Sequence, residues 1–245
     1  MKTLIWDVET TDLELRIRTY QLKNYTKYFD PKTIERDWSM LGAAWIWLNE
    51  DKPTAISVSP DKPLDDYGVV KHLHGILSEA DILVGHNSDN FDIKKFNTRA
   101  IYYDLPPISP KQSVDTLKVA KKYFKFTSNK LSYLCEYLKV DLKDNSPDWK
   151  ACIDGDPEAL RYMRHYNKGD VIATKAAYQK LMGWHHTHPK HPQPKDIEGN
   201  DVNVCPKCQS PNYVKHDSRF LASGRRRQQW RCKDCGGYWT GAFED

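Results

Sequence analysis

Hydrophobic positions along the chain fall into short runs and helical stripes. Residues 2–8 (KTLIWDV) are a short apolar run and predict a buried strand. Residues 40–48 (MLGAAWIWL) predict a second strand, with Trp45 and Trp47 on one face and in the core. Residues 54–58 (TAISV) predict a third. The spacing in 67–79 (YGVVKHLHGILSE) is helical, and 81–85 (DILVG) predicts a fourth strand. A helix is expected from Asn90 to Ile101, followed by the proline-rich loop LPPISPK. Val114 marks a fifth strand, Thr116–Phe124 a further helix, and 130–139 another. Asp156-Pro157 has the form of an N-cap followed by proline at the first helical position, opening a helix through Tyr166 and Asp170 to Leu181. Strands first and alternating helices later predict an α/β fold, a mixed sheet with helices on its faces.

Residues 183–203 are rich in proline and polar residues and read as a linker. The segment holds His185, His186, His188 and His191, for which a solvated linker is favoured over a metal site. The expected domains are therefore 1–182 and 204–245, joined by this linker.

Composition narrows the class. Apolar residues make up 39% and aromatics 12%, enough for a packed core and against intrinsic disorder. No run of about eighteen apolar residues occurs, so no membrane span is expected. Asp7 interrupts the first apolar run, so no signal peptide is read and a cytoplasmic protein is expected. Of 37 basic and 33 acidic residues, 204–245 hold eight and four, leaving 29 of each sign in 1–203. All the excess positive charge sits in the last segment, which fits either contact with a polyanion or a solvated basic face.

Three sets of residues carry candidate chemistry. Asp7 and Glu9 lie two apart at the end of the first strand, so both point to one face. In Gly85-His86-Asn87-Ser88-Asp89-Asn90-Phe91-Asp92 a strand runs into a polar turn, where Phe91 can anchor in the core and Asp92 can face the sheet edge. Tyr166 and Asp170, four apart, share one helix face. Singly each is weak; their order and contexts agree with one active site. Clustered carboxylates repel unless a cation lies between them, and Mg²⁺ or Mn²⁺ prefers such oxygen ligands. Four carboxylates can hold two such ions about 3.5–4 Å apart for phosphodiester hydrolysis. His165 leaves an alternative: it could act as a general base, but it and Tyr166 are about 100° apart on the helix and cannot both enter the site. Tyr166, on the face of Asp170, is favoured. Asp115 is expected to be an N-cap rather than a support of the site. Asn129 and Lys130 reach a phosphate or face solvent, and Cys135 and Cys152 are ordinary buried thiols.

On these residues the chain resembles the DEDD superfamily of 3′→5′ exonucleases, which implies a ribonuclease-H-like fold. Asp7 and Glu9 match its first motif. Asn87, Phe91 and Asp92 match the NxxxFD motif, with Asn87 expected to contact the nucleic acid, and Tyr166 and Asp170 match the YxxxD motif of its tyrosine-bearing subgroup. The strings NKLSYL (129–134), GDPEA (155–159) and YNKGD (166–170) are similar to those of a phage and bacterial exonuclease-like family with a C-terminal zinc ribbon. The resemblance implies a 3′→5′ exonuclease, with DNA favoured and RNA the close alternative. A structure-specific endonuclease and a non-catalytic nucleic-acid-binding adaptor are the rivals.

Cys205-Pro-Lys-Cys208 and Cys232-Lys-Asp-Cys235 form two CxxC knuckles 23 residues apart. Four thiolates complete a tetrahedral zinc shell with no open position, so one structural Zn²⁺ is expected. Between the knuckles, Arg225, Arg226, Arg227 and Trp230 supply cations beside an aromatic expected to be exposed, suited to phosphate contact and base stacking.

Overall fold

The computed structural model describes residues 1–16, 30–140 and 145–240. Its strands are β1 (Thr3–Thr10), β2 (Glu14–Leu15), β3 (Ile34–Arg36), β4 (Met40–Trp47), β5 (Thr54–Ser57), β6 (Ile82–Gly85) and β7 (Gln112–Asp115). The helices are α1 (Tyr67–Glu79), α2 (Asp92–Tyr102), α3 (Thr116–Tyr123), α4 (Leu131–Tyr137), α5 (Trp149–Ile153) and α6 (Pro157–Leu181). The C-terminal segment adds β8 (Tyr213–Phe220), β9 (Arg226–Cys232) and β10 (Tyr238–Thr240). Every strand and helix expected within 1–182 is present, with ends shifted by a residue or two.

Five strands form one sheet in the order β5-β4-β1-β6-β7. β1 is antiparallel to β4 and parallel to β6, and β6 is parallel to β7. Alternation along β1 sends Leu4, Trp6 and Val8 into the cluster with α1 and α2. Ile5 turns to the opposite face, with Val171 and Tyr178 of α6. Asp7 and Glu9 continue the Ile5 series and so emerge on the α6 side. Asp156 caps α6 by accepting the Ala159 N–H, and Pro157 occupies its first turn. Trp45 is buried in the core, and Trp47 is half-buried against it.

Beneath α2 lies an ion pair that the hydrophobic pattern does not announce. Asp66 is fully buried; it accepts two hydrogen bonds from Arg99 at 2.6 and 2.7 Å, one from Tyr103 Oη and one from the Met40 N–H. A buried carboxylate is tolerable because each oxygen is satisfied.

The expectation of a solvated histidine linker is overturned. His188 and His191 are buried. The His188 Nδ1 lies 2.6 Å from the Pro189 carbonyl and must donate to it, so its Nε2 accepts from Tyr178 Oη at 2.7 Å. Burial pushes His188 and His185 down to about 4, so both are neutral near pH 7. The cause is tertiary: the cysteine knuckles pack directly on the end of α6. Lys207 donates to the carbonyls of Met182 and Gly183 at 3.2 and 2.9 Å, satisfying the helix C-terminus and its dipole. At Gly183 a Cβ would lie 1.9 Å from the Cys235 carbonyl oxygen, so only glycine permits this approach.

Candidate active site

The site forms where β1 outruns its neighbour. The last β1–β6 pairing is Ile5 with Val84, so the Val8 N–H is left without a strand partner on that side. Asp92, the first residue of α2, accepts that N–H at 3.0 Å. This contact brings the second acidic element against the first. The turn before it is tight: a Cβ on Gly85 would fall 2.4 Å from Ser88 Cβ, and Asn87 adopts a left-handed φ of 66°. Asp115 holds the turn by accepting the Asn87 N–H at 2.9 Å while also capping α3 through Leu117 and Lys118. It is thus both the expected N-cap and a support of the site.

Carboxylate oxygens of Asp7, Glu9 and Asp170 lie within 4.8 Å of one another. Asn167, which sequence reasoning missed, is buried between them. Its Nδ2 donates to Asp7 Oδ2 at 2.7 Å and approaches Glu9 Oε1 at 3.4 Å. The signal was present, since Asn167 lies three residues before Asp170 on the same helix face. Burial pushes all four carboxyls up, and the neighbouring acids add repulsion at Asp7 and Glu9. Asp7 rises well above the carboxylate range, through burial first and then the charges of Asp92, Glu9 and Asp170. Glu9 is pushed to about 8, Asp92 to about 7 and Asp170 to about 6, burial being the main cause in each. A constellation that resists ionisation at neutral pH is a receptor for positive charge.

Tyr166 turns toward these acids. Its hydroxyl donates to Asp170, and burial with the charges of Asp170, Glu9 and Asp7 holds its pKa far above the ordinary value. The ring meets Trp149 of α5 edge-on at 6.2 Å. His165 is exposed and lines a separate hollow with Arg161, Arg164 and Lys168. Of the other expected contacts, Asn87 lies at the turn, while Asn129 is half-buried and its carbonyl lies 3.0 Å from His86 Nε2. Lys130 is exposed at the start of α4. Cys135 and Cys152 are buried thiols pushed up to about 11 by burial.

The second cluster is sulfur. Cys205, Cys208, Cys232 and Cys235 place their Sγ atoms within 4.8 Å of one another, with Cys205–Cys235 and Cys208–Cys232 both at 3.6 Å. Four thiolates about 2.3 Å from one Zn²⁺ in a tetrahedron stand about 3.8 Å apart, whereas a disulfide needs about 2 Å. The cysteine geometry therefore fits zinc. The adjoining sheet, β10-β9-β8, sets Arg219 opposite Arg227 and Phe220 opposite Arg226. Trp230 departs from expectation: it is half-buried against Tyr213, while Phe220 is 70% exposed. A bulge between Lys215 and Ser218 resets the alternation along β8.

No helix among the described residues is long and apolar enough to cross a membrane.

Comparison with known proteins places the fold. A stretch of 65 residues is 38% identical to the PolC-type DNA polymerase III of Ureaplasma parvum serovar 3, covering 26% of this chain and 4% of that protein. The structure of the family B DNA polymerase from the hyperthermophilic archaeon Pyrobaculum calidifontis superposes with a TM-score of 0.55 at 18% identity, over 74% of this chain and 24% of that one. The chain thus spans a small fraction of either relative, and the second likeness is one of fold. The model of a ribonuclease H family matches residues 39–182, more than half of the chain, taking in Asp92, Tyr166 and Asp170. The chain belongs to the RNase_H superfamily.

Proposed function

We propose that this chain is a metal-dependent 3′→5′ exonuclease that hydrolyses the terminal phosphodiester of nucleic acid, DNA in preference to RNA. The observation that carries the reading is the convergence of Asp7, Glu9 and Asp170 within 4.8 Å, with Asp92 tied to the same strand. Asp7, Glu9, Asp92 and Asp170 would hold two Mg²⁺ or Mn²⁺ ions. When bound, such ions make water nucleophilic at neutral pH and offset charge on the leaving 3′ oxygen. Asn167 fixes the rotamers of Asp7 and Glu9, so the ligand set is organised before substrate arrives. Tyr166, held protonated by the surrounding acids, donates hydrogen bonds and orients water rather than abstracting its proton.

The cysteine module would hold one structural Zn²⁺ and, through Arg225, Arg226 and Arg227, phosphate. It sits far from the acids. The knuckles contact Gly183 at the end of α6, and Asp170 lies thirteen residues earlier, about 20 Å along the helix. Its part is to retain nucleic acid, not to shape the reacting end.

The experiment is digestion of 3′- and 5′-end-labelled DNA and RNA, single- and double-stranded, in Mg²⁺ or Mn²⁺ and in chelator, with Asp7→Ala as control. Metal-dependent release of mononucleotides from the 3′ end, absent in the variant, is expected. Release from the 5′ end, internal cleavage, or equal activity in the Asp7→Ala protein would refute the assignment.

A further inference from the structure

Beside the acids runs a stripe of side chains that begins at Phe91 and continues through residues outside the matched motifs. On α2, Phe91, Lys95 and Arg99 follow at four-residue intervals and so share a face, with Tyr102 continuing it. Trp38, from the connection into β4, lies alongside. The members alternate between aromatic and cationic. Lys95 Nζ is 5.4 Å from the Phe91 ring and 3.5 Å from the Trp38 ring. The Arg99 guanidinium is 5.9 Å from the Trp38 ring and 4.4 Å from that of Tyr102. Tyr102 is 67% exposed and Phe91 39%.

Two cavities connect this stripe to the acids. One of about 1070 Å³ begins at Glu9 and Thr10 and reaches Arg36 and Leu64. The other, about 520 Å³, starts from the same Arg36 and Leu64 and ends at Trp38, Arg99 and Tyr102. At their junction Arg36 binds Asp12 and Glu14, yet its Nη1 is buried and has no hydrogen-bond partner among the described residues. Of the nearby acids, buried Asp66 already takes the Nε and Nη2 hydrogen bonds of Arg99, Asp12 and Glu14 are paired with Arg36, and Asp37 faces Lys95, which leaves Lys95 as the cation of the stripe best placed for a phosphate.

We infer that Trp38, Lys95, Arg99 and Tyr102 form a stacking and phosphate-contact track for single-stranded nucleic acid leading to the acidic site. Aromatic faces accept any base, and interleaved cations follow the backbone, so the recognition is independent of sequence. From Phe91 to Tyr102 the helix rises about 16 Å, room for roughly three to five nucleotides at about 3.4 Å or more each. A duplex presents no free base faces and would not use the track. The inference deepens the nuclease reading and takes the strand's destination from it, but binding can be measured without turnover.

The test is fluorescence anisotropy of labelled dT15 in Ca²⁺, comparing wild type with Lys95→Ala/Tyr102→Ala, and with Lys71→Ala on exposed α1 as a control for lost charge. Stacking contributes about 1–3 kcal/mol per base, so the double variant should bind about 5- to 150-fold more weakly. Lys71→Ala should be unchanged. An oligonucleotide with abasic sites at positions three to five from its 3′ end should bind wild type and a separate Tyr102→Ala variant alike, a result that mere misfolding would not give. Equal dT15 affinity in wild type and double variant, or a Tyr102→Ala deficit that persists on the abasic strand, overturns the track. Absence of nuclease activity with the binding pattern intact would sink only the hydrolytic reading.

Discussion

Replacing Asp92 with Asn should stabilise the protein at alkaline pH while removing its activity. Asp92 is buried, with its carboxyl pushed from 3.8 to about 7. Asparagine keeps an oxygen to accept the Val8 N–H and loses only the charge. A carboxyl whose folded pKa is raised lowers stability as pH climbs: below its unfolded value both states are neutral, and above its folded value the native state must carry a charge it resists. A shift of about three units at about 1.4 kcal/mol each puts the full penalty near 4 kcal/mol by pH 8. At pH 5 only about 1.6 kcal/mol of that is present, because the folded carboxyl is still protonated. The stability of Asp92→Asn relative to wild type should therefore increase by about 2–3 kcal/mol between pH 5 and pH 8. The relief this gives Asp7 acts in the same direction. Urea denaturation at both pH values, in buffer stripped of added divalent cations but with zinc left in place, measures the change. Mg²⁺ at pH 8 should then restore wild type and leave the variant unaffected, while hydrolysis by the variant falls at least about 10²-fold. A stability difference identical at pH 5 and pH 8 would refute the argument that the fold penalises a charge on the buried Asp92 carboxyl.

Three further expectations follow from the same geometry. Tyr166→Phe should lose most of its hydrolytic rate while His165→Ala keeps it, because only Tyr166 lies against the acids; the reverse result in single-turnover assays would transfer the role to His165. Gly183→Ala must displace the Cys235 backbone and should cost at least about 1–3 kcal/mol, read as a lower Tm and faster zinc loss to a chromophoric chelator. Changing Arg225, Arg226 and Arg227 together to Ala should lower the slope of log affinity against log salt by about 2 for single strands, and an unchanged slope would remove the hairpin from the binding surface.

Much of the site was legible because its logic is local. The two-residue period of a strand puts Asp7 with Glu9, and the four-residue step of a helix puts Tyr166 with Asp170. What escaped depends on distant partners. Asp66 reads as an ordinary polar residue ahead of α1; its burial follows from Arg99 and Tyr103, more than thirty positions later. Asn167 is one more polar residue on α6 until β1 supplies Asp7 and Glu9 to receive its amide. His188 and His191 sit in a proline-rich polar stretch, and composition points outward for such a stretch; the knuckles folding back on α6 bury them. Trp230 is half-buried because Tyr213 of β8 packs against it, a cross-strand contact that the basic run around it does not announce.

The placement of the two candidate metal-ligand clusters constrains how they can cooperate. The carboxylates occupy the carboxyl end of β1, whereas the knuckles meet its other end, where Met1, Lys2 and Thr3 share a cavity with Cys208 and Cys235. Because β1 is the central strand and α6 packs along it, both clusters are anchored to the same two elements. Lys207 locks the arrangement by capping α6 from within the cysteine module. A strand that runs from the acids past the knuckles must therefore span about 20 Å of protein. Such a geometry favours long substrates over short ones through retention, with the hairpin arginines acting on residence time. Any effect of the hairpin on hydrolysis should then appear in KM and vanish for substrates too short to bridge the two ends.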